Sequence, residues 1–556
     1  VPNLFAPESD EVEIASSDDE AAKPTADQKE GTGDEDGMKQ VSIDFDGLAQ
    51  RSVRIPVEAD NYGGLSAIDG HLVYLVFPAP FYGRGGEDPP SLQIFSLEDK
   101  KASKLATTSS YALSWDGKKL LASEGGQHKL YDAKPGAKDP KTVSTAGLMV
   151  DRVPADEWMT IFDEVWRRYR DIFYVKNMHG YDWKAIGDRY RKLVAHVSHR
   201  SDLNYVIGEM IAELNVGHAY IQGGDFEIPD RPVVALPGAR FELDQASGKY
   251  RIARIFQGQN EEPKYRSPLT EVGVDANEGD YVLAIDGETL EGTDNPYRLL
   301  QHKSHPVALL LNDKPTTDGA REVVYDPISS EANLLYLEWV EGNRKKVAEM
   351  TDGKVGYLHI PDMGGNGIYE FIKWYYPQIR KEGLVIDVRS NGGGNVSQWI
   401  IERLDTKLLG TRFGHGSDKA QTYPYSVFHG NMACLLNETS ASDGDIFPHR
   451  FREAGLGPLI GKRSWGGVVG ISSWGPLLDG GLVFVPLQGT NDTEGNWIIE
   501  GEGVQPDIVV ENDPKSVLAG KDPQLERGVQ EVLKMMQADP KKLPARPADP
   551  VKTGKS

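Results

Sequence analysis

Met432-Ala-Cys-Leu-Leu-Asn-Glu-Thr-Ser-Ala-Ser-Asp-Gly-Asp-Ile-Phe-Pro-His-Arg-Phe451 places an apolar run, a polar turn and a helix-compatible segment in immediate succession. Met432–Leu436 predicts a short buried strand, and Ile446–Phe451 can begin a helix. Ser442, between Ala441 and Asp443, therefore falls at a strand-to-helix junction. A helix N-terminus presents backbone N–H groups and the positive end of the helix dipole, the environment in which an oxyanion is best stabilised. A serine in such a loop is ordinarily a cap or turn residue, so a chemical role needs support from elsewhere in the chain.

Two segments supply it. Leu384-Val-Ile-Asp-Val-Arg-Ser-Asn-Gly-Gly-Gly-Asn395 is a hydrophobic strand running directly into three glycines, which let backbone approach a bound group and aim N–H donors at it. A phosphate loop would require a Gly-Lys-Ser/Thr ending that is missing. Leu214-Asn-Val-Gly-His-Ala-Tyr220 sets His218 just beyond an amphipathic helical stretch. Ser442, His218 and the glycine-rich loop together amount to a nucleophile, a base and an oxyanion hole.

The 556 residues suffice for several domains, each able to bury a core. A net charge of -23 argues against nucleic-acid or anionic-membrane partners, which want basic patches. No apolar run is long enough for a membrane span. Cys434, the single cysteine, excludes an internal disulfide and reads as a buried core residue; no Cys/His spacing suggests a metal, and no cofactor is expected. The chain begins Val1-Pro-Asn-Leu, with neither an initiator Met nor a signal segment, which predicts that the natural amino terminus lies elsewhere.

Residues 1–40 hold 12 acidic and 3 basic residues and predict a disordered acidic linker. Residues 41–148 predict short strands at Val53–Val57, His71–Phe77, Leu92–Phe95, Tyr111–Trp115 and Lys119–Ser123. The Trp115-Asp-Gly117 turn suggests two or three β-propeller blades, fewer than a closed propeller needs. Residues 149–225 read as a helical subdomain that ends by presenting His218. Its helices are predicted over Asp156–Asn177, with a stripe of Trp158, Ile161, Phe162, Val165, Trp166 and Tyr169, and over Tyr181–Asn215. In residues 226–325 the Gly279-Asp-Tyr-Val-Leu-Ala-Ile-Asp-Gly287 phrase resembles a PDZ domain, a fold that captures extended peptides at a sheet edge. Residues 326–520 alternate strands with helices such as Tyr369–Lys381 and Asn395–Leu404, an α/β catalytic texture. Residues 521–556 predict a helix over Gln524–Met536 and a tail. The expected fold class is thus multidomain α+β: a partial propeller, a helical subdomain, a PDZ domain and an α/β, crotonase-like catalytic domain.

The order of His218, Asp387-Val-Arg-Ser-Asn-Gly-Gly-Gly394, Ser440-Ala-Ser-Asp-Gly444, Trp465-Gly-Gly-Val-Val-Gly470 and Glu500-Gly-Glu-Gly-Val-Gln-Pro-Asp507 resembles the tricorn protease family, among the tail-specific and C-terminal-processing serine peptidases. The resemblance covers about residues 41 to 535. It implies Ser442 as nucleophile, His218 as base and Glu500 as the carboxylate behind it, with oxyanion donors from the N–H groups of Asp443 and Gly393. It also implies two upstream propellers, one of which ends within residues 41–148, together with peptide substrates, a homo-oligomer and a cytoplasmic location, with a periplasmic or secreted one the alternative. One departure concerns the serine that precedes the histidine in the archaeal enzyme: the position is Gly217 here, so Glu500 must reach His218 directly or through water. Related peptidases use a Ser-Lys dyad, but Gly467 stands where that lysine would be, and Lys462 lies before the turn. The acidic residue through which the archaeal enzyme reads basic side chains has no counterpart in Gly410–Gly414, so no substrate-binding residue is assigned. The expected activity is a serine endopeptidase or oligopeptide-processing hydrolase. The rival is a propeller and PDZ scaffold that binds peptides without cutting them, and a third reading is a crotonase-like acyl-CoA enzyme.

Overall fold

All ten residues of Val355–His359 and Gly383–Asp387 are buried, as expected of neighbouring strands in a parallel sheet covered on both faces. They begin a five-stranded sheet that continues through Asn431–Leu436, Leu459–Gly461 and Ile508–Val509, parallel throughout. Side chains alternate across it. Leu384, Ile386, Cys434 and Leu436 enter a core with the helices Gly365–Tyr375, Ser397–Leu404 and Asp443–Glu453. Val385, Ala433 and Leu435 face Ala332–Met350 and Pro523–Ala538. The carboxy-terminal helix, assigned from sequence to a separate segment with the tail, therefore completes the core of the parallel sheet through Leu525, Val529 and Val532.

The computed structural model describes residues 45–47, 49, 52–79 and 88–554, and the acidic segment 1–40 lies outside them. The chain divides into two units, Val1–Val150 and Asp151–Ser556. The first holds two four-stranded antiparallel sheets, one from Asn61–Ile68 to Lys101–Thr107 and one from Tyr111–Leu113 to Lys141–Val143. Residues 53–57 form no strand, contrary to expectation. Pro56 removes a ladder donor there, and the strand lies instead at Asn61–Ile68, bulged between Gly63 and Ser66.

In the second unit the helix Pro154–Ile172 buries Ile161, Phe162, Val165 and Tyr169 of the predicted stripe. The helix predicted over Tyr181–Asn215 is two, Trp183–Val194 and Arg200–Ala212. The break comes from a capping box in which the His199 side chain accepts from the Ser201 N–H and the Asp202 carboxylate accepts from the His199 N–H. This helical core also takes in Leu477, Val483 and Val485. Leu482–Gln488 pairs antiparallel with Tyr220–Gln222 on one side and Gly470–Ser472 on the other. Residues 239–325 form a separate antiparallel sheet with edge strands Ala239–Asp244 and Arg321–Tyr325.

Candidate active site

Ser442 is the N-cap of Asp443–Glu453, at the end of the loop leaving the central strand Asn431–Leu436. Its backbone is strained, with φ 57° and ψ −121°, and its side chain makes no capping bond. The hydroxyl is thus not engaged as an ordinary cap, and His218 Nε2 lies 3.2 Å from Oγ. Ser440, in contrast, is fully buried, and its hydroxyl donates to the Val388 carbonyl at 2.8 Å. The second serine of Ser-Ala-Ser is therefore the one presented to the His218 imidazole.

His218 is held between the end of the helical core and the short strand Tyr220–Gln222. Burial lowers its pKa and the Glu500 charge opposes that shift, so the imidazole is neutral at pH 7 and able to accept a proton. Its Nδ1 is buried without a hydrogen-bond partner among the described residues. Tyr220 and Trp465 meet the ring edge-on, at centroid separations of 5.3 and 5.9 Å.

Glu500 reaches the site by way of backbone. Oε1 accepts from the Gly217 N–H at 3.0 Å, while Oε2 accepts from the Val468 and Val469 N–H groups at 2.7 and 3.1 Å. The carboxylate thus ties the peptide next to His218 to the strap that carries Trp465. Glu502, two residues on, is exposed. A Cβ added at Gly217 would lie 3.6 Å from Glu500 Oε1 but only 3.2 Å from Gly467 Cα; the small residue suits the close approach of the two segments. A Cβ at Gly467 would lie 2.2 Å from the Trp465 ring, which leaves no room for a lysine there. Lys462 pairs with Glu511 at 2.9 Å.

The glycine-rich loop runs against Ser442. A Cβ at Gly393, where φ is +92°, would fall 2.6 Å from Ser442 Cβ and 2.9 Å from the Asp443 nitrogen. The Gly393 N–H, expected to be a ready oxyanion donor, instead donates to Asn391 Oδ1 at 2.9 Å, because the buried Asn391 side chain closes a turn over it. The Asp443 carboxylate points away, accepting from the Ser397 N–H and hydroxyl at 2.9 and 2.5 Å and so capping the neighbouring helix. Arg389, within the same loop, forms a buried ion pair with Asp387 at 2.6 Å and bonds Asp522 at 2.8 Å, anchoring the loop to the carboxy-terminal helix. Sequence reasoning missed Asn391, Trp465 and Asp445; the spacing of Asp445, three residues after the N-cap, was the available signal. No group of side chains suited to a metal ion occurs among the described residues, and no helix among them is long and apolar enough to cross a membrane.

Residues 354–510 match Peptidase family S41, residues 154–212 the Tricorn protease C1 domain and residues 236–330 the Tricorn protease PDZ domain. Tricorn protease homolog 1 of Streptomyces coelicolor is 33% identical over 520 residues, covering 90% of this chain and 48% of that protein. Tricorn protease of Thermoplasma acidophilum is 31% identical over 518 residues, covering 91% of this chain and 47% of that protein. A crystal structure of the tricorn protease superposes with a TM-score of 0.80 at 31% identity, covering 88% of this chain and 48% of the other. The chain spans about half the length of the curated relatives it matches.

Proposed function

The chain belongs to the tricorn protease family, and on that premise we propose that it is a serine peptidase acting on peptides and oligopeptides. Ser442 Oγ attacks the scissile carbonyl carbon as His218 Nε2 takes the hydroxyl proton. The tetrahedral intermediate collapses as the imidazolium returns that proton to the leaving amine, and water then repeats the sequence on the acyl-serine. The observation that carries this reading is the 3.2 Å approach of His218 Nε2 to a serine hydroxyl at a helix N-terminus. The oxyanion donors are the Asp443 N–H and, once it yields its bond to Asn391, the Gly393 N–H, each worth about 3 kcal/mol in the transition state. Glu500 orients the histidine through the Gly217 peptide and supports the imidazolium through its charge.

The finer features of the reading follow the family resemblance. Residues 41–148 are propeller blades, since each of their sheets is a four-stranded antiparallel meander. Residues 226–325 act as a PDZ domain that receives an extended peptide along a sheet edge. Endopeptidase or oligopeptide-processing activity, assembly into a homo-oligomer and a cytoplasmic location complete the proposal. The test is labelling with a serine-directed fluorophosphonate together with turnover of fluorogenic peptides. The parent should be captured at Ser442 and should cleave, and Ser442→Ala should do neither while melting at the parent temperature. A folded parent that is never labelled and never cleaves would establish the peptide-binding scaffold instead.

A further inference from the structure

Asp445 is fully buried three residues after the nucleophile, in the first turn of the helix that Ser442 caps. An acidic side chain at this position leans back over the N-terminus of its helix. It does so here, and one oxygen, Oδ1, accepts from the Gly466 N–H at 2.8 Å. Gly466 belongs to the strap Ser464–Val469, which Ser464 pins to Val504 and whose next contacts lead to the reacting groups. Trp465 donates its N–H to the Ser440 carbonyl at 2.9 Å and sets its ring on His218. Val468 and Val469 hold Glu500, whose other oxygen holds Gly217 beside His218. The Gly466 carbonyl accepts from the Gly501 N–H at 2.7 Å, next to Glu500. The strap cannot be thickened at this point, because a Cβ on Gly466 (φ +95°) would lie 2.7 Å from the Gly503 nitrogen.

We propose that Asp445 is a positioning residue of the reaction: its carboxylate clamps the strap to the nucleophile helix, and so keeps the histidine and its glutamate in register with Ser442. This rests on the serine-peptidase reading above. A clamp of this kind acts on the chemical step, since it sets the relation of base to nucleophile and touches no part of a bound peptide. The second oxygen, Oδ2, is buried without a hydrogen-bond partner among the described residues. The Gly466 bond asks only for a neutral acceptor, so a buried charge at this position is more than that tie needs. Burial raises the carboxyl pKa to about 6, against the pull of the Gly466 N–H, with the Glu500 charge adding to the rise. The group is consequently ionised at pH 7 and neutral in mild acid.

The experiment uses the whole chain with a fluorogenic peptide, following kcat and KM against pH for the parent, Asp445→Asn and Asp445→Ala, with fluorophosphonate labelling of each. Asp445→Asn keeps the acceptor for Gly466 but removes the charge. It should fold as the parent does and keep KM within twofold, lose about tenfold in kcat, and show an acid limb of kcat that has lost one protonation step. Asp445→Ala should lose more, about a hundredfold. An asparagine variant with the parent's kcat and pH profile overturns the proposal even if the alanine variant fails to fold. If the folded parent is neither labelled nor active, the serine-peptidase reading has failed before the clamp is reached.

Discussion

Replacing Glu500 by Gln asks what the carboxylate does for a histidine it reaches through backbone. The carboxylate accepts three N–H groups with two oxygens. A glutamine has one oxygen, so its NH₂ must face either the Gly217 N–H or the Val468 and Val469 pair, donor against donor. At least one charge-assisted bond is lost, worth about 1.5–3 kcal/mol. If that loss falls on the placement of His218, kcat drops about 10- to 100-fold. His218→Ala, which removes the proposed base, should cost at least about 10³-fold. The pH dependence gives a second, independent reading. Burial lowers the His218 pKa and the Glu500 charge raises it; removing the charge leaves burial unopposed and lowers the pKa further. The acid limb of kcat/KM, where the free enzyme's base must be neutral, should therefore move to lower pH in Glu500→Gln. The assay is peptide cleavage from pH 4 to 9 at temperatures below the melting point of both proteins, with the exposed Glu502→Gln as control. An acid limb that stays in place, with kcat within twofold of the parent, would refute the assigned role; so would a Glu502→Gln variant that is the more damaged of the two.

Three further outcomes follow from the same geometry. Gly393→Ala should abolish fluorophosphonate capture, because a Cβ 2.6 Å from Ser442 Cβ and 2.7 Å from the Ala441 carbonyl at φ +92° must displace one of the two segments; labelling at the parent rate would show that the loop is not held there. Gly217→Ser should raise kcat about fivefold, the worth of one hydrogen bond of about 1 kcal/mol. Its Cβ falls beside Glu500 Oε1 and its hydroxyl could serve the unpartnered His218 Nδ1, and a drop in kcat would show that the 3.2 Å contact with Gly467 dominates. Asp522→Ala should cost about 3 kcal/mol in denaturant titrations at pH 7, since it removes both a partner of buried Arg389 and the N-cap of the carboxy-terminal helix. Burial pushes the Asp522 carboxyl up, but the Arg389 bond and charge outweigh it and hold it below its ordinary value. Its stability is then fully present above the unfolded pKa of about 3.9 and is lost as pH falls through the folded value, so the deficit of the variant should shrink below about pH 4; a deficit constant with pH would exclude the ion pair as its origin.

The parts of this molecule that sequence reveals are those whose cause is local. Met432–Leu436 reads as a buried strand because an unbroken apolar run can be nothing exposed, and the structure extends it by one residue, to Asn431. Ser442, His218 and Glu500 lie far apart in the chain, yet each carries its own short signature, and the structure brings them to one place. What sequence conceals is non-local. Leu482–Gln488 reads as part of the catalytic segment, but it pairs with Tyr220–Gln222 and completes the helical core, and no pattern within either stretch names its partner. Asn61–Ile68 carries two glycines, which weaken a strand, and pairing with His71–Phe77 is what makes it one.

The ties that hold the site follow the same division. Glu500 binds three backbone N–H groups, Asp445 binds one, and the Asn391 side chain binds that of Gly393. A bond to a peptide N–H can be accepted from almost any residue type, so it leaves no matching side chain for a sequence pattern to register. These ties surround backbone that would not hold its shape unaided: Ser390, Ser442 and Ile499 all have positive φ, at 59°, 57° and 58°. For a β-branched residue such as Ile499 this conformation is a true outlier, and strain of this kind costs about 1–3 kcal/mol per residue. Glu500 follows Ile499 directly, and its three accepted bonds are of the size needed to offset that cost. The strain and the ties are thus one arrangement: the backbone is bent to bring the carboxylate to the Gly217 peptide, and the bonds made there keep it bent.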